Sequence, residues 1–166
     1  DLEHLKSLIR KDTILVSICY VDSEVGIVQP IEEIAKIVKE YPNCFFHVDC
    51  TQAVGKINID LKNIDLISFA PHKFYGLNGF GALIKNKEIV LEPLINGGAS
   101  TTIYRSGTPV IGQICALEKA LEISFNNLEE RKKYVKNINK KLRENLSKYK
   151  DVKINTISDE NPFILN

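Results

Sequence analysis

The sequence predicts an α/β domain built on a mostly parallel sheet, and three observations predict it. Residues 13–20, 45–49 and 66–70 are short, near-continuous apolar runs rich in β-branched and aromatic side chains, the pattern of strands covered on both faces. Residues 31–39, between the first two, place their apolar positions on one helical face, as a crossover between parallel strands requires. Asp49 ends one run and the pair His72-Lys73 follows another, at the carboxyl ends of strands, where open α/β sheets hold ligands.

The elements follow in order. Leu2, Leu5, Leu8 and Ile9 recur at helical spacing ahead of the first strand. A polar turn, Asp22-Ser23-Glu24-Val25-Gly26, separates that strand from the helix at 31–39, which Pro30 opens and Pro42 stops. Residues 51–54 form a short helical candidate between the second and third strands. Residues 80–84 follow the third strand too closely for a helical crossover and are expected to pair antiparallel. Residues 96–102 are small and polar and read as a loop, a long helix is expected at 109–121 and a charged one at 128–149, and residues 151–157 and 162–165 read as further strands. Those last strands break off in mid-pattern, which leads us to expect a piece of a larger protein.

Composition narrows the function classes. With 44% hydrophobic and 26% charged residues, the 166-residue chain has the make-up of a single globular domain. Lys+Arg of 22 against Asp+Glu of 21 leaves a formal charge of +1, which favours small metabolites over nucleic acid or an anionic membrane surface as partners. No apolar run approaches the roughly 20 residues that span a bilayer, and the polar start Asp1-Leu2-Glu3-His4 lacks the pattern of a secretion signal. The spacing of Cys19, Cys44, Cys50 and Cys115 fits neither a zinc-ligand pair nor a redox Cys-x-x-Cys motif. Free thiols in a reducing cytoplasm are the expectation.

Three segments hold the chemistry. In Ser68-Phe69-Ala70-Pro71-His72-Lys73 a strand runs into an imidazole and an amine, and a lysine there, partly desolvated, is placed to attack an aldehyde while His72 binds a phosphate oxygen. The plainer reading is a solvated loop lysine. In Phe46-His47-Val48-Asp49-Cys50-Thr51-Gln52 a carboxylate emerges from a hydrophobic strand, either to meet a cationic ring nitrogen or simply to cap the turn that follows. In Tyr104-Arg105-Ser106-Gly107-Thr108-Pro109 hydroxyls precede a helix start, which suits a phosphate or, equally, a helix cap.

In this order and spacing the three segments resemble the class V aminotransferase group of fold-type-I pyridoxal phosphate (PLP) enzymes, and specifically the cysteine desulfurases, most strongly over residues 14–108. The resemblance implies the three-layer, mostly parallel sheet of the PLP-dependent transferase large domain: residues 1–110 as its C-terminal part, and residues 111–166 as connecting helices and the start of a small α+β domain. It implies Lys73 as the Schiff-base lysine, His72 as a cofactor contact, Asp49 on the pyridinium nitrogen, Gln52 on the ring's phenolic oxygen and Thr108 on the phosphate of a neighbouring subunit's cofactor. Ser23, where the family usually has Asn, takes a shorter-reaching contact to the ring. Ala70, in place of a common Ser, and residues 99–104 depart from the housekeeping enzymes and suggest a divergent branch. The implied activity is conversion of L-cysteine, or another amino acid, with sulfur passed to an enzyme persulfide and on to an acceptor protein, in a homodimer without nucleic acid or membrane. The phosphate loop and nucleophilic cysteine would then lie outside these residues. Another class V aminotransferase or lyase, or a non-catalytic α/β module, would share the same segments.

Overall fold

A computed structural model describes residues 1–156 and 160–166. Its elements are α1 (Leu2–Leu8), β1 (Leu15–Cys19), α2 (Ile31–Lys39), β2 (Phe45–Asp49), β3 (Leu66–Phe69), a 3-10 helix at Pro71–Phe74, β4 (Ala82–Lys85), α3 (Ile111–Asn126) and α4 (Leu128–Leu146). The sheet runs β1-β2-β3-β4, with the first two pairings parallel and β3·β4 antiparallel, as the spacing predicts.

Helix starts and ends follow local chemistry. The Asp1 side chain accepts the His4 N–H at 3.1 Å and caps α1. In α2, Glu32 and Glu33 occupy the first turn and Lys36 and Lys39 the last, which complements the helix dipole. Its buried stripe of Ile31, Ile34, Ala35 and Val38 joins the sheet residues Val16, Phe46, Val48, Ile67 and Phe69 in one hydrophobic core. Asp65, just before β3, locks strand to helix. One carboxylate oxygen accepts the Phe46 N–H and the other takes Lys39 Nζ, both at 2.8 Å.

Alternation along the strands gives the sheet two unlike faces. Phe46, Val48 and Cys50 are fully buried on the side of α2 and α3. On the other side Leu15, Phe45 and Leu83 remain 49%, 44% and 54% exposed. The near-continuous apolar strands predicted two covered faces, whereas the helices among the described residues cover one.

Some boundaries differ from expectation. Residues 51–57 form a run of hydrogen-bonded turns rather than a helix, because bonds of different reach end on the same carbonyl: Ala53 N and Val54 N both donate to Cys50 O. α3 extends to Asn126, and α4 stops at Leu146. The strands expected at 151–157 and 162–165 do not form over the described residues. Asn155 N and Thr156 N donate to Asn166 O, while Asn166 N is taken by the Thr156 hydroxyl at 2.8 Å, so a side chain replaces the ladder acceptor. Ile157 lies outside the described residues. The tail instead docks on α4, where Asn139 Nδ2 donates to Pro162 O and Arg143 Nη1 to Thr156 O, each at 2.9 Å.

Candidate active site

The parallel register brings three strand ends level, pairing Cys19 with Asp49 and Asp49 with Ser68. Paired residues share a face, so these side chains project to the open side of the sheet. Each strand then leaves through a different turn, and the turns determine what is presented.

β2 leaves through residues 50–57. Asp49 Oδ1 accepts the Thr51 N–H at 2.8 Å, the capping role anticipated as the plainer reading. The second carboxylate oxygen has no partner among the described residues. Capping therefore orients the carboxylate without consuming it. Three residues on, Gln52 Oε1 accepts from Lys56 Nζ at 2.5 Å. Burial, with a smaller contribution from the charge of Lys73, pushes the Lys56 amine down to about 8. That influence places Lys56 and Lys73 within electrostatic reach of one another.

β3 leaves through the 3-10 helix. Pro71 fits its first position, where no N–H is needed, and Lys73 N donates to Ala70 O at 3.1 Å. Phe74 is buried and its ring lies 5.8 Å from that of Phe69, which anchors the turn. The turn closes through Tyr75 in the left-handed region, φ 73°, and then Gly76. A Cβ on Gly76 would sit 2.7 Å from Pro71 Cβ, so this approach requires glycine. His72 and Lys73 are left exposed on the outer surface, and among the described residues the Lys73 amine has no hydrogen-bond or ion-pair partner.

The α3–α4 pair holds both turns in place. Ser124 Oγ donates to Phe74 O at 3.2 Å, and Arg131 Nη2 donates to Gly55 O at 2.6 Å and Ser124 O at 2.7 Å. Gly55 is at φ 71°, and a Cβ there would lie 2.9 Å from Ser124 Cβ and 3.0 Å from Phe74 Cβ. The guanidinium of Arg131 also stands 5.6 Å from the Tyr75 ring centroid.

Asp49, Gln52, His72 and Lys73 therefore converge on the carboxyl edge of the sheet. Ser23 lies in the turn after β1, where Asp22 Oδ1 accepts the N–H groups of Glu24 and Val25, and its own hydroxyl contacts Glu24 Oε1 at 3.4 Å. Thr108 belongs to a different region. It lines an open hollow with Gly98, Ser100 and Thr101, and its carbonyl accepts from Arg105 Nη2 at 3.4 Å.

Two features escaped the sequence reading. Ser17 Oγ, His47 and Ser68 Oγ form a hydrogen-bonded line across three strands, with 2.7 Å to Nδ1 and 3.0 Å to Nε2 of the imidazole. Its signal was the placement of His47 two residues before Asp49, hence on the same face, but the partners depend on register. Lys56 was signalled only by its four-residue spacing from Gln52. Three thiols are shifted away from a reactive thiolate: burial pushes Cys50 up to about 12 and also raises Cys44 and Cys19, the last with added repulsion from Asp49 and Asp22. Among the described residues there is no group of three His, Cys, Asp or Glu able to hold a metal ion, and no helix long and apolar enough to cross a membrane.

A family profile described as aminotransferase class-V matches residues 1–166. The chain belongs to the class-V aminotransferase family. This is a family of PLP-dependent enzymes. Among curated class-V relatives, the mitochondrial cysteine desulfurase of Arabidopsis thaliana is 45% identical over 86% of this chain and 32% of its own length. Cysteine desulfurase IscS of Dictyoglomus turgidum is 42% identical over 78% of this chain and 33% of its own. A solved NifS-like protein superimposes with a TM-score of 0.89 at 37% identity, covering 94% of this chain and 43% of its own. The chain thus spans about a third of the length of the first two relatives.

Proposed function

We propose that this chain is the lysine-bearing portion of a PLP-dependent cysteine desulfurase, which converts L-cysteine to L-alanine and passes the sulfur to an enzyme persulfide. One observation carries the reading. The amine of Lys73 and one oxygen of Asp49, both without partners among the described residues, are presented on the same edge of the sheet by two turns held by the same helix pair.

The groups present suit the cofactor. PLP needs an amine for its aldehyde, an anion for its pyridinium nitrogen and a donor for its phenolic oxygen. Lys73, Asp49 and the carboxamide of Gln52 supply these in turn. His72 and Ser23 stand at the edge as further polar contacts, and Thr108 serves the cofactor of a partner subunit in a homodimer. When bound, PLP withdraws electrons from the substrate's Cα. Lys73 would hold the cofactor through its amine, and the same amine would take and return the substrate's Cα proton. Asp49, its carboxylate oriented by the Thr51 N–H, would keep the ring nitrogen protonated.

The sulfur-accepting cysteine is assigned to the part of the relatives' length that this chain does not span, since none of Cys19, Cys44, Cys50 and Cys115 stands at the position of the family's nucleophile. From there sulfur passes to an acceptor protein. Residues 1–110 form the C-terminal part of the cofactor-binding domain, and residues 111–166 lead into a smaller one. Four free cysteines suit a reducing compartment such as the cytoplasm.

Incubation with PLP, borohydride reduction and peptide mapping test this directly. A pyridoxyl adduct confined to Lys73, and lost in Lys73→Ala, is expected, and scattered labelling of exposed lysines would overturn the reading. With full-length protein and L-cysteine, alanine and sulfide should appear in equal amounts under a thiol reductant. Turnover with a keto-acid acceptor and no sulfide would instead identify an aminotransferase.

A further inference from the structure

We propose that Lys56 is a positioning residue that acts through Gln52: its ammonium holds the carboxamide so that the amide N–H groups, never the carbonyl oxygen, face the bound cofactor. The inference rests on the reading of Gln52 as a cofactor contact and assigns a role to a residue outside that set.

Donor chemistry determines the orientation. An ammonium has three donors and no acceptor, whereas a carboxamide has one oxygen and one NH2 group. A contact of 2.5 Å between Lys56 Nζ and Gln52 is therefore possible only through Oε1. With its oxygen turned toward Lys56, Gln52 directs its NH2 donors away from that side. Such a group favours an anionic or acceptor atom, as the phenolic oxygen of PLP is, and rejects a donor there. The cation behind the oxygen also polarises the amide, strengthening the bonds its N–H groups make.

Lys56 is held where it can do this. It follows Gly55, whose left-handed backbone is packed between Ser124 and Phe74 and whose carbonyl is taken by Arg131. The side chain is partly buried, and its amine is pushed down to about 8 by that burial and, to a lesser degree, by Lys73, so it remains mostly protonated near neutrality. A lysine needed only for surface charge would not be drawn into a turn this tightly packed.

The test is a double-mutant cycle in the full-length protein reconstituted with PLP, comparing the parent with Lys56→Met, Gln52→Leu and the double variant. Lys56→Arg is the conservative control, and thermal unfolding checks the fold. Two quantities are read from the visible band of the bound cofactor: its dissociation constant and the pH at which the band changes. Lys56→Met is expected to weaken binding about tenfold and to move the transition to higher pH, since loss of a nearby cation favours the protonated cofactor. Lys56→Arg should stay within about twofold of the parent, and Lys56→Met should add little once Gln52 is Leu. If the Met variant does not fold, Lys56→Gln, shorter and neutral, takes its place with the same expectations. Equal effects of Lys56→Met with and without Gln52, or none in either, overturn the proposal. A Gln52→Leu variant identical to the parent removes Gln52 from the cofactor site, which defeats the underlying assignment as well.

Discussion

Phe45 and Phe46 are neighbours on β2, yet the first is 44% exposed and the second fully buried. The difference runs the length of the sheet. On the helix-covered face, Phe46, Val48 and Cys50 meet α2, Phe74 and Ala120 in a continuous apolar core. On the open face the same strands carry Phe45, His47 and Asp49, grading from apolar at the amino end through the Ser17–His47–Ser68 line to the carboxylate at the carboxyl end. One face does the folding of this chain, and the other keeps its chemistry accessible. The covered face holds the open one rigid: Phe74 is anchored in the core, and Lys73 beside it projects outward.

The contrast can be broken most directly at that phenylalanine pair. Phe46→Ala should cost about 3–5 kcal/mol in a urea melt of the 166-residue chain, and Phe45→Ala less than about 1 kcal/mol. Similar costs would show that the two faces are not energetically distinct. Repeating the pair in the full-length protein sharpens the point, because a Phe45→Ala cost that rises to about 2 kcal/mol would mark this face as packed there by the rest of the chain. Next in size is Gly55→Ala, which strains a left-handed backbone and crowds Ser124 and Phe74. It should lower stability by about 2–3 kcal/mol in thermal melts, and with it the yield of borohydride-trapped Lys73. Asp65→Ala strips the Phe46 N–H of its acceptor at the start of the strand shared by both faces. About 1–2 kcal/mol is expected, and Asp65→Asn should recover part of it; because Lys39 is solvent-accessible, the ion pair itself contributes little.

The smallest perturbation is chemical labelling. In the folded protein at pH 8, Cys19 on the open face should alkylate, slowly because burial and the nearby Asp49 and Asp22 raise its thiol above the usual range. Cys50, pushed up to about 12 and fully buried, should react only on unfolding. Rapid labelling of Cys50 would show the covered face opening.

Much of this was legible in the sequence because it is local. The short connection required an antiparallel β4, and Asp49 and Lys73 were marked by being polar residues at the ends of apolar runs. Two candidate residues in longer loops were harder to place. Ser23 was singled out by the family resemblance and Thr108 by its hydroxyl before a helix start, but their positions depend on loops whose course no periodicity encodes. The expected terminal strands were misjudged for a related reason: β-branched composition shows that a segment tolerates extended backbone, not that a ladder partner is available.

Periodicity, turn chemistry and residue type were sufficient for the α/β class, the strand order's parallel character and the edge where the reactive groups gather, since each depends on residues within a few positions of one another. Tertiary structure alone decided that helices cover one face, that His47 bridges Ser17 and Ser68, that Arg131 ties the Gln52 and Lys73 turns together, and that Lys56 occupies the oxygen of Gln52. These depend on register, and on contacts reaching up to 76 residues along the chain, and a one-residue slip in pairing would turn every such side chain to the other face.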